Sequence, residues 1–182
     1  MKTALITGGA ARIGAQIVKT LHHHKFNIII HFNYSEDKAQ LLCDELNAIR
    51  ANSVEIVSAD LNNMEQLNSL VNSIQSLDLL VNNASVFYPK TVESSSMKDW
   101  DDVLNINLRA PFFLSKGLSK LLSNNDGSII NIIDIHAERP LKKHAIYNIS
   151  KAGLKMLTQT LAKELAPRIR VNGVSPGSIL WP

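Results

Sequence analysis

Tyr147 and Lys151 stand four residues apart in the run Tyr147-Asn148-Ile149-Ser150-Lys151, and Asp134 stands thirteen residues ahead of the tyrosine. Residues at i and i+4 share one face of a helix. An ammonium group on that face can stabilise a phenolate and bring the phenol's pKa toward a value useful for proton transfer at neutral pH. Tyr147 is thus a candidate proton donor. A carboxyl group nearby alters that chemistry, because when ionised it cannot donate a hydrogen bond and its charge opposes phenolate formation. Plainer readings stand beside these: a core tyrosine next to a solvated lysine, and for Asp134 a helix cap or a surface carboxylate.

A second chemistry sits at the other end of the chain. An apolar run from Ala4 empties into Thr7-Gly8-Gly9-Ala10-Ala11-Arg12-Ile13-Gly14, and a helical pattern follows at once. Gly8 permits a tight turn, Gly14 allows close packing of helix on strand, and a helix N-terminus offers unpaired N–H groups to a pyrophosphate. Taken alone, such a loop is equally an ordinary turn between strand and helix. The next strand ends His31-Phe32-Asn33-Tyr34-Ser35, where a protein selecting NAD would place a carboxylate for the ribose 2′-hydroxyl. None is there, and Arg12, Asn33 and Ser35 are possible 2′-phosphate partners, so the expected cofactor is NADP(H). Asp60 and Leu61 follow the third strand, where they either meet the adenine edge or, for Asp60, cap the next helix.

The elements that must position these groups alternate along the chain. Short runs rich in Leu, Ile and Val are expected strands at 4–7, 27–31, 54–58, 77–81, 128–133 and 170–174, dense enough to be buried on both faces. Helices are expected at 13–21, 36–50, 64–73, 97–122 and 145–165 from apolar residues three and four apart. The result is an α/β fold, a doubly wound parallel sheet of order 3-2-1-4-5-6 with a ligand crevice at the carboxyl ends of its strands.

Composition narrows the possibilities further. The 182 residues, 45% hydrophobic and 19% charged, suit one domain with a substantial core. A net charge of +3 without a basic run gives no support to nucleic-acid binding. The lone Cys43 excludes an intrachain disulfide and suits a reducing compartment. No apolar run is long enough for a membrane span or a signal peptide, so a cytoplasmic protein is expected. His22-His23-His24 invites a metal reading, yet consecutive helix residues point about 100° apart and cannot converge on one ion. These histidines read as a solvated helix end, Cys43 reads as a packing residue, and no metal is expected.

The glycine loop, Asn82-Asn83-Ala84-Ser85, Asn105-Ile106-Asn107, Tyr147-x-x-x-Lys151 and Pro176-Gly177 together resemble the short-chain dehydrogenase/reductase superfamily over essentially the whole chain. The resemblance implies a Rossmann-type fold in which Tyr147 is the proton donor, Lys151 holds the nicotinamide ribose and Asn107 supports a water chain behind the lysine. It also extends the cofactor-binding set to Ile13, His31, Asn83, Ala84, Ser85, Pro176 and Gly177. Most of that superfamily has serine where this chain has Asp134. A serine hydroxyl polarises a carbonyl oxygen, whereas reduction of a C=N bond needs a proton delivered to nitrogen, which a carboxyl group beside tyrosine suits.

Arg12, the run Asn83-Ala84-Ser85-Val86-Phe87-Tyr88-Pro89 and Asp134 paired with Tyr147 resemble the pteridine reductases more narrowly. That resemblance implies NADPH-dependent reduction of a dihydropterin or dihydrofolate. Phe87 would stack on the flat pterin, Ser85 would bond ligand or cofactor, and Arg12 would lie near pyrophosphate and pterin. For Phe87 the plainer reading is a loop aromatic plugging the core. Relatives pair subunits through the helices carrying Asn107 and Tyr147, so a homotetramer is implied. Two departures stand out: Tyr34 occupies a place commonly held by arginine, and the chain stops at Pro182 where the family continues into a covering loop, a helix and a seventh strand. Rival expectations are a 3-oxoacyl thioester reductase, which would want serine at 134, and a non-catalytic NADP-binding protein.

Overall fold

The computed structural model describes residues 1–179, and Leu180, Trp181 and Pro182 of the expected single domain lie outside the described residues. Six parallel strands form one sheet: β1 (Thr3–Ile6), β2 (Asn27–Phe32), β3 (Val54–Ser58), β4 (Leu79–Asn82), β5 (Ser128–Ile132) and β6 (Arg170–Val174), in the order β3-β2-β1-β4-β5-β6. Six helices connect them: α1 (Arg12–His23), α2 (Glu36–Ile49), α3 (Met64–Ser73), α4 (Met97–Leu104), α5 (Ala110–Asn124) and α6 (Ala145–Glu164).

Alternation along each strand divides the core in two. Leu5, Leu80 and Ile129 pack on one face with Leu70, Leu114, Leu118 and Leu161 from α3, α5 and α6. Ala4, Ile6, Leu79 and Val81 pack on the other with Val18, Leu42 and Leu46 from α1 and α2. Burial on both faces is why the strands read as near-continuous apolar runs. Truncating a fully buried side chain such as Leu80 to alanine would cost about 2–5 kcal/mol.

The expected single helix over 97–122 is interrupted by a π-helical stretch, Asn105–Arg109, between α4 and α5. Pro111 stands at the start of α5. With no N–H to reach the carbonyl of Asn107, and a ring that crowds it, Pro111 cannot continue an α-helical ladder. The backbone widens there, Ala110 N bonds Asn105 O, and Asn107 is 1% exposed.

The histidine run also departs from expectation. His22 is buried, its Nε2 lying 2.8 Å from Ser53 Oγ, because Gly14, Val18 and His22 are four apart on the inward face of α1. Among the described residues no group of histidine, cysteine and acidic side chains could hold a metal ion. Cys43 is buried as a packing residue. No described helix is long and apolar enough to cross a membrane.

Candidate active site

The strand order reverses between β1 and β4, which opens a crevice at their carboxyl ends. Its floor is stapled by Thr7. The hydroxyl donates to Val81 O (3.3 Å) and accepts from Asn83 N (2.9 Å) and Ala84 N (3.0 Å). Asn83 Nδ2 completes the staple by donating to Thr7 O (2.9 Å) and Gly8 O (3.1 Å).

Gly8 turns with φ +61°, and a Cβ on Gly14 would lie 2.2 Å from Gly8 O and 2.7 Å from Asn83 Nδ2. Only glycine fits there. The start of α1 has no side-chain cap bond and no acidic residue in its first turn. Its N-terminal donors are therefore left for an anionic ligand, as a bound pyrophosphate requires. Arg12, the first residue of α1, adopts φ 50°, an uncommon conformation for a residue with a Cβ.

His31 lies beneath this loop rather than open to it, 2% exposed. Gly8 N donates to its Nδ1 (3.2 Å) and its Nε2 lies 3.0 Å from Ala59 O. Burial lowers its pKa to about 4, against the raising influence of the Ala59 carbonyl and Asp60. A neutral ring with the proton on Nε2 satisfies both bonds. His31 thus fastens the glycine loop to β2 and the end of β3.

Two clefts, of about 480 and 560 Å³, meet at Gly8, Ala11, Ala84 and Ser85. The first takes in Arg12, Ile13, Gly14, Asn83, Phe87, Asp134, Tyr147, Lys151, Pro176 and Gly177. The second takes in His31, Asn33, Ser35, Asp60 and Leu61. Together they form one long groove of a size suited to an extended ligand. Ser35 starts α2 without a side-chain cap bond, which leaves its hydroxyl uncommitted. Asp60 does not cap α3, since Asn63 does so through bonds from Glu65 N and Gln66 N; Asp60 Oδ1 instead accepts from Asn62 N (2.9 Å). Tyr34 projects into solvent at 90% exposure.

Asn107 is the one expected site residue that lines neither cleft. Its Oδ1 accepts from Val86 N (2.9 Å), and its Nδ2 donates to Val86 O (3.0 Å) and Ser150 Oγ (3.1 Å). This side chain clamps the 83–90 loop to helix α6, which carries Tyr147 and Lys151.

At the centre, Tyr147 Oη donates to Asp134 Oδ2 at 2.7 Å. Asp134 also caps the short 3-10 turn Ile135–Ala137, its Oδ1 accepting from His136 N (2.9 Å). Capping and site geometry therefore coexist. Lys151, 2% exposed, donates to Ile132 O (3.0 Å), and its Nζ lies 5.7 Å from the Tyr147 ring centroid.

Of the two opposed influences expected on the tyrosine, the ammonium's and the carboxylate's, the carboxylate's prevails. Burial raises the Tyr147 pKa strongly, and the bond to Asp134 and its charge raise it further. Spacing put Lys151 on the right face, but a backbone carbonyl holds its ammonium while the carboxylate holds the phenol. Burial lowers Lys151 itself to about 8, only partly countered by Asp134.

Phe87 does not plug the core. It is 55% exposed, stacks on His144 with centroids 4.6 Å apart and planes at 14°, and meets Tyr147 edge to face at 4.7 Å. Sequence reasoning missed His144, whose segment is tied to the 83–90 loop by Lys90 N donating to Lys143 O (2.7 Å). Its position three residues before Tyr147 was the one available signal.

The model of the short chain dehydrogenase family matches residues 2–181. Pteridine reductase 1 of Leishmania tarentolae is 32% identical over 98% of this chain and 77% of its own length. A 3-oxoacyl-[acyl-carrier-protein] reductase, FabG, of Staphylococcus epidermidis is 34% identical over 98% and 75%. FolM Alternative dihydrofolate reductase 1 from Brucella suis, solved in complex with NADP, superposes with a TM-score of 0.90 at 38% identity, covering 98% of this chain and 76% of that one. Sheet order, stapled crevice, tyrosine–lysine helix and these likenesses agree: the chain belongs to the short chain dehydrogenase family and is an oxidoreductase.

Proposed function

We propose that the protein reduces a dihydropterin, or the dihydropterin ring of dihydrofolate, to the tetrahydro form with NADPH. The observation that carries this reading is the 2.7 Å bond from Tyr147 Oη to Asp134 Oδ2, a carboxylate where ketone reduction wants a hydroxyl. Likeness to a pteridine reductase and to a FolM enzyme in complex with NADP supports it. NADPH over NADH is supported by the residues after β2, Asn33, Tyr34 and Ser35, none of which repels a 2′-phosphate.

Bound NADPH supplies a hydride to carbon. The chain's own residues supply the rest. Burial and Asp134 keep the Tyr147 phenol protonated through neutral pH, so the donor is loaded in the direction of reduction. Tyr147 Oη gives its proton to the ring nitrogen beside the reduced carbon. A carboxylate at 134 has no hydrogen to offer a ketone oxygen where a serine hydroxyl would, and this disfavours the thioester substrate despite the 34% identity to FabG. Lys151, lining the cleft, would hold the nicotinamide ribose of bound NADPH. Phe87 offers a flat ligand its exposed ring, with stacking worth about 0.5–1.5 kcal/mol beyond area burial, while Arg12 and Ser85 bond the ligand's polar edge.

The test is NADPH and NADH consumption by the purified protein with dihydromonapterin, dihydrobiopterin, dihydrofolate and a 3-oxoacyl thioester. Fastest turnover is expected with NADPH and a dihydropterin or dihydrofolate. Tight NADPH binding without turnover of any of them would favour a non-catalytic nucleotide-binding protein.

A further inference from the structure

We propose that His136 is the solvent-side proton source for Asp134, so that protons reach Tyr147 along the line His136, Asp134, Tyr147. The inference rests on the reading of Tyr147 as proton donor. Each reduction consumes one proton, and the phenol must recover it. Tyr147 is buried, its Oη donates to Asp134, and the Lys151 ammonium is turned to Ile132 O.

Asp134 has two ends. Oδ2 holds the phenol, while Oδ1 accepts from His136 N (2.9 Å) and lies 4.0 Å from His136 Nε2. The other ring nitrogen, Nδ1, lies 2.8 Å from Arg139 O. A carbonyl oxygen only accepts, so Nδ1 must carry a hydrogen. Nε2 is therefore the atom through which this imidazole gains and loses protons, and it faces the carboxylate. A gap of 4.0 Å exceeds a hydrogen bond but closes with a small ring movement or one bridging water. His136 lines the same cleft as Asp134 and Tyr147, and its side chain is 25% exposed against 23% for Asp134, so both partners reach water and the imidazole is the group placed beside Oδ1. Of the nearby charges, Glu138 is paired with Lys155 at 2.7 Å. That pair leaves Asp134 as the carboxylate facing Nε2 among the described residues.

The steps balance. When Tyr147 Oη gives its proton to the substrate nitrogen, phenolate faces carboxylate, and the proton affinity of both rises. The His136 Nε2–H bond breaks as the Asp134 Oδ1–H bond forms. The carboxyl group then turns about Cβ–Cγ to bring this hydrogen to the phenolate, the Asp134 O–H bond breaks as the Tyr147 Oη–H bond forms, and phenol and carboxylate are restored. His136, left neutral, takes a proton from water. No electrons move.

Two measurements test this. Nitrogen-15 NMR of the free full-length protein should show His136 as the Nδ1–H tautomer when neutral; an Nε2–H tautomer overturns the inference whatever the turnover. In kinetics with NADPH and dihydropterin, His136→Asn should lower kcat by on the order of 10²-fold while KM stays within about two-fold, the scale of a lost proton-transfer group. Added imidazole should restore rate to His136→Ala and leave His136→Asn unmoved. If both variants keep the unmutated kcat, protons enter elsewhere, such as past Lys151, and His136 only closes a turn. Turnover by the unmutated protein with none of the dihydropterins would instead overturn the substrate reading, and the His136 comparison then applies to whichever substrate is reduced.

Discussion

The two ends of the crevice keep their shapes by different means. Around Gly8 and Gly14 the geometry lies in the backbone, in the buried Thr7 hydroxyl and His31 ring, whose bonds are all used, and in the two donations of the Asn83 amide nitrogen. Around Asp134 and Tyr147 it lies in side chains from half-exposed loops, Phe87, His136 and His144, braced from behind by Asn107. At the first end binding and folding are one property. At the second, chemistry can change while the sheet survives.

Gly14→Ala breaks the contrast most severely. A Cβ lying 2.2 Å from Gly8 O forces loop and helix apart, so calorimetry should find no NADPH binding and thermal melting should fall by about 5 °C or more. Tyr147→Phe sits at the other extreme. Turnover should fall by about 10³-fold, while NADPH affinity and melting temperature hold. A large loss of stability there would erase the distinction between the ends.

Acid and alkali probe the two ends separately. Folded His31 protonates near pH 4 and an unperturbed imidazole near 6.5, so the unfolded chain binds the extra proton between them. Stability present above pH 6.5 should drain as pH falls toward 4, by about 3 kcal/mol, and urea unfolding of His31→Asn should show a flatter acid limb. Folded Lys151 titrates near 8 against 10.5 unperturbed. Below pH 8 the buried ammonium therefore destabilises the fold, and the deficit lifts as pH rises from 8 to 10.5. Lys151→Met should be more stable at pH 7 by about 1–3 kcal/mol, yet inactive. The smallest expected effect is that of Phe87→Ala, which should raise the pterin KM about ten-fold and leave NADPH affinity unchanged.

How much was legible in the sequence follows the same divide. Strand order and crevice follow from apolar runs such as Leu79–Val81 and from glycine spacing, because parallel strands buried on both faces leave a strong local signal. The Asp134–Tyr147 pair was legible from two motifs thirteen residues apart. The π-helical stretch had a visible cause in Pro111 that helical periodicity masked. Loop-to-loop contacts were not legible: nothing periodic links Phe87 to His144, or Lys90 to Lys143. Which of the two opposed influences on Tyr147 prevails was not legible for a related reason. Four-residue spacing fixes a shared face, but not which neighbour takes the ammonium.

The central claim is that a carboxylate on the phenol, in place of a hydroxyl, selects a ring C=N over a ketone. The most direct measurement is the ratio of kcat/KM for dihydropterin to that for a 3-oxoacyl thioester, compared between the unmutated protein and Asp134→Ser. The expected ratio favours dihydropterin and drops on the order of 10²-fold in the variant, with NADPH affinity unchanged. A thioester preference in the unmutated protein, or a ratio that Asp134→Ser leaves untouched, would contradict it.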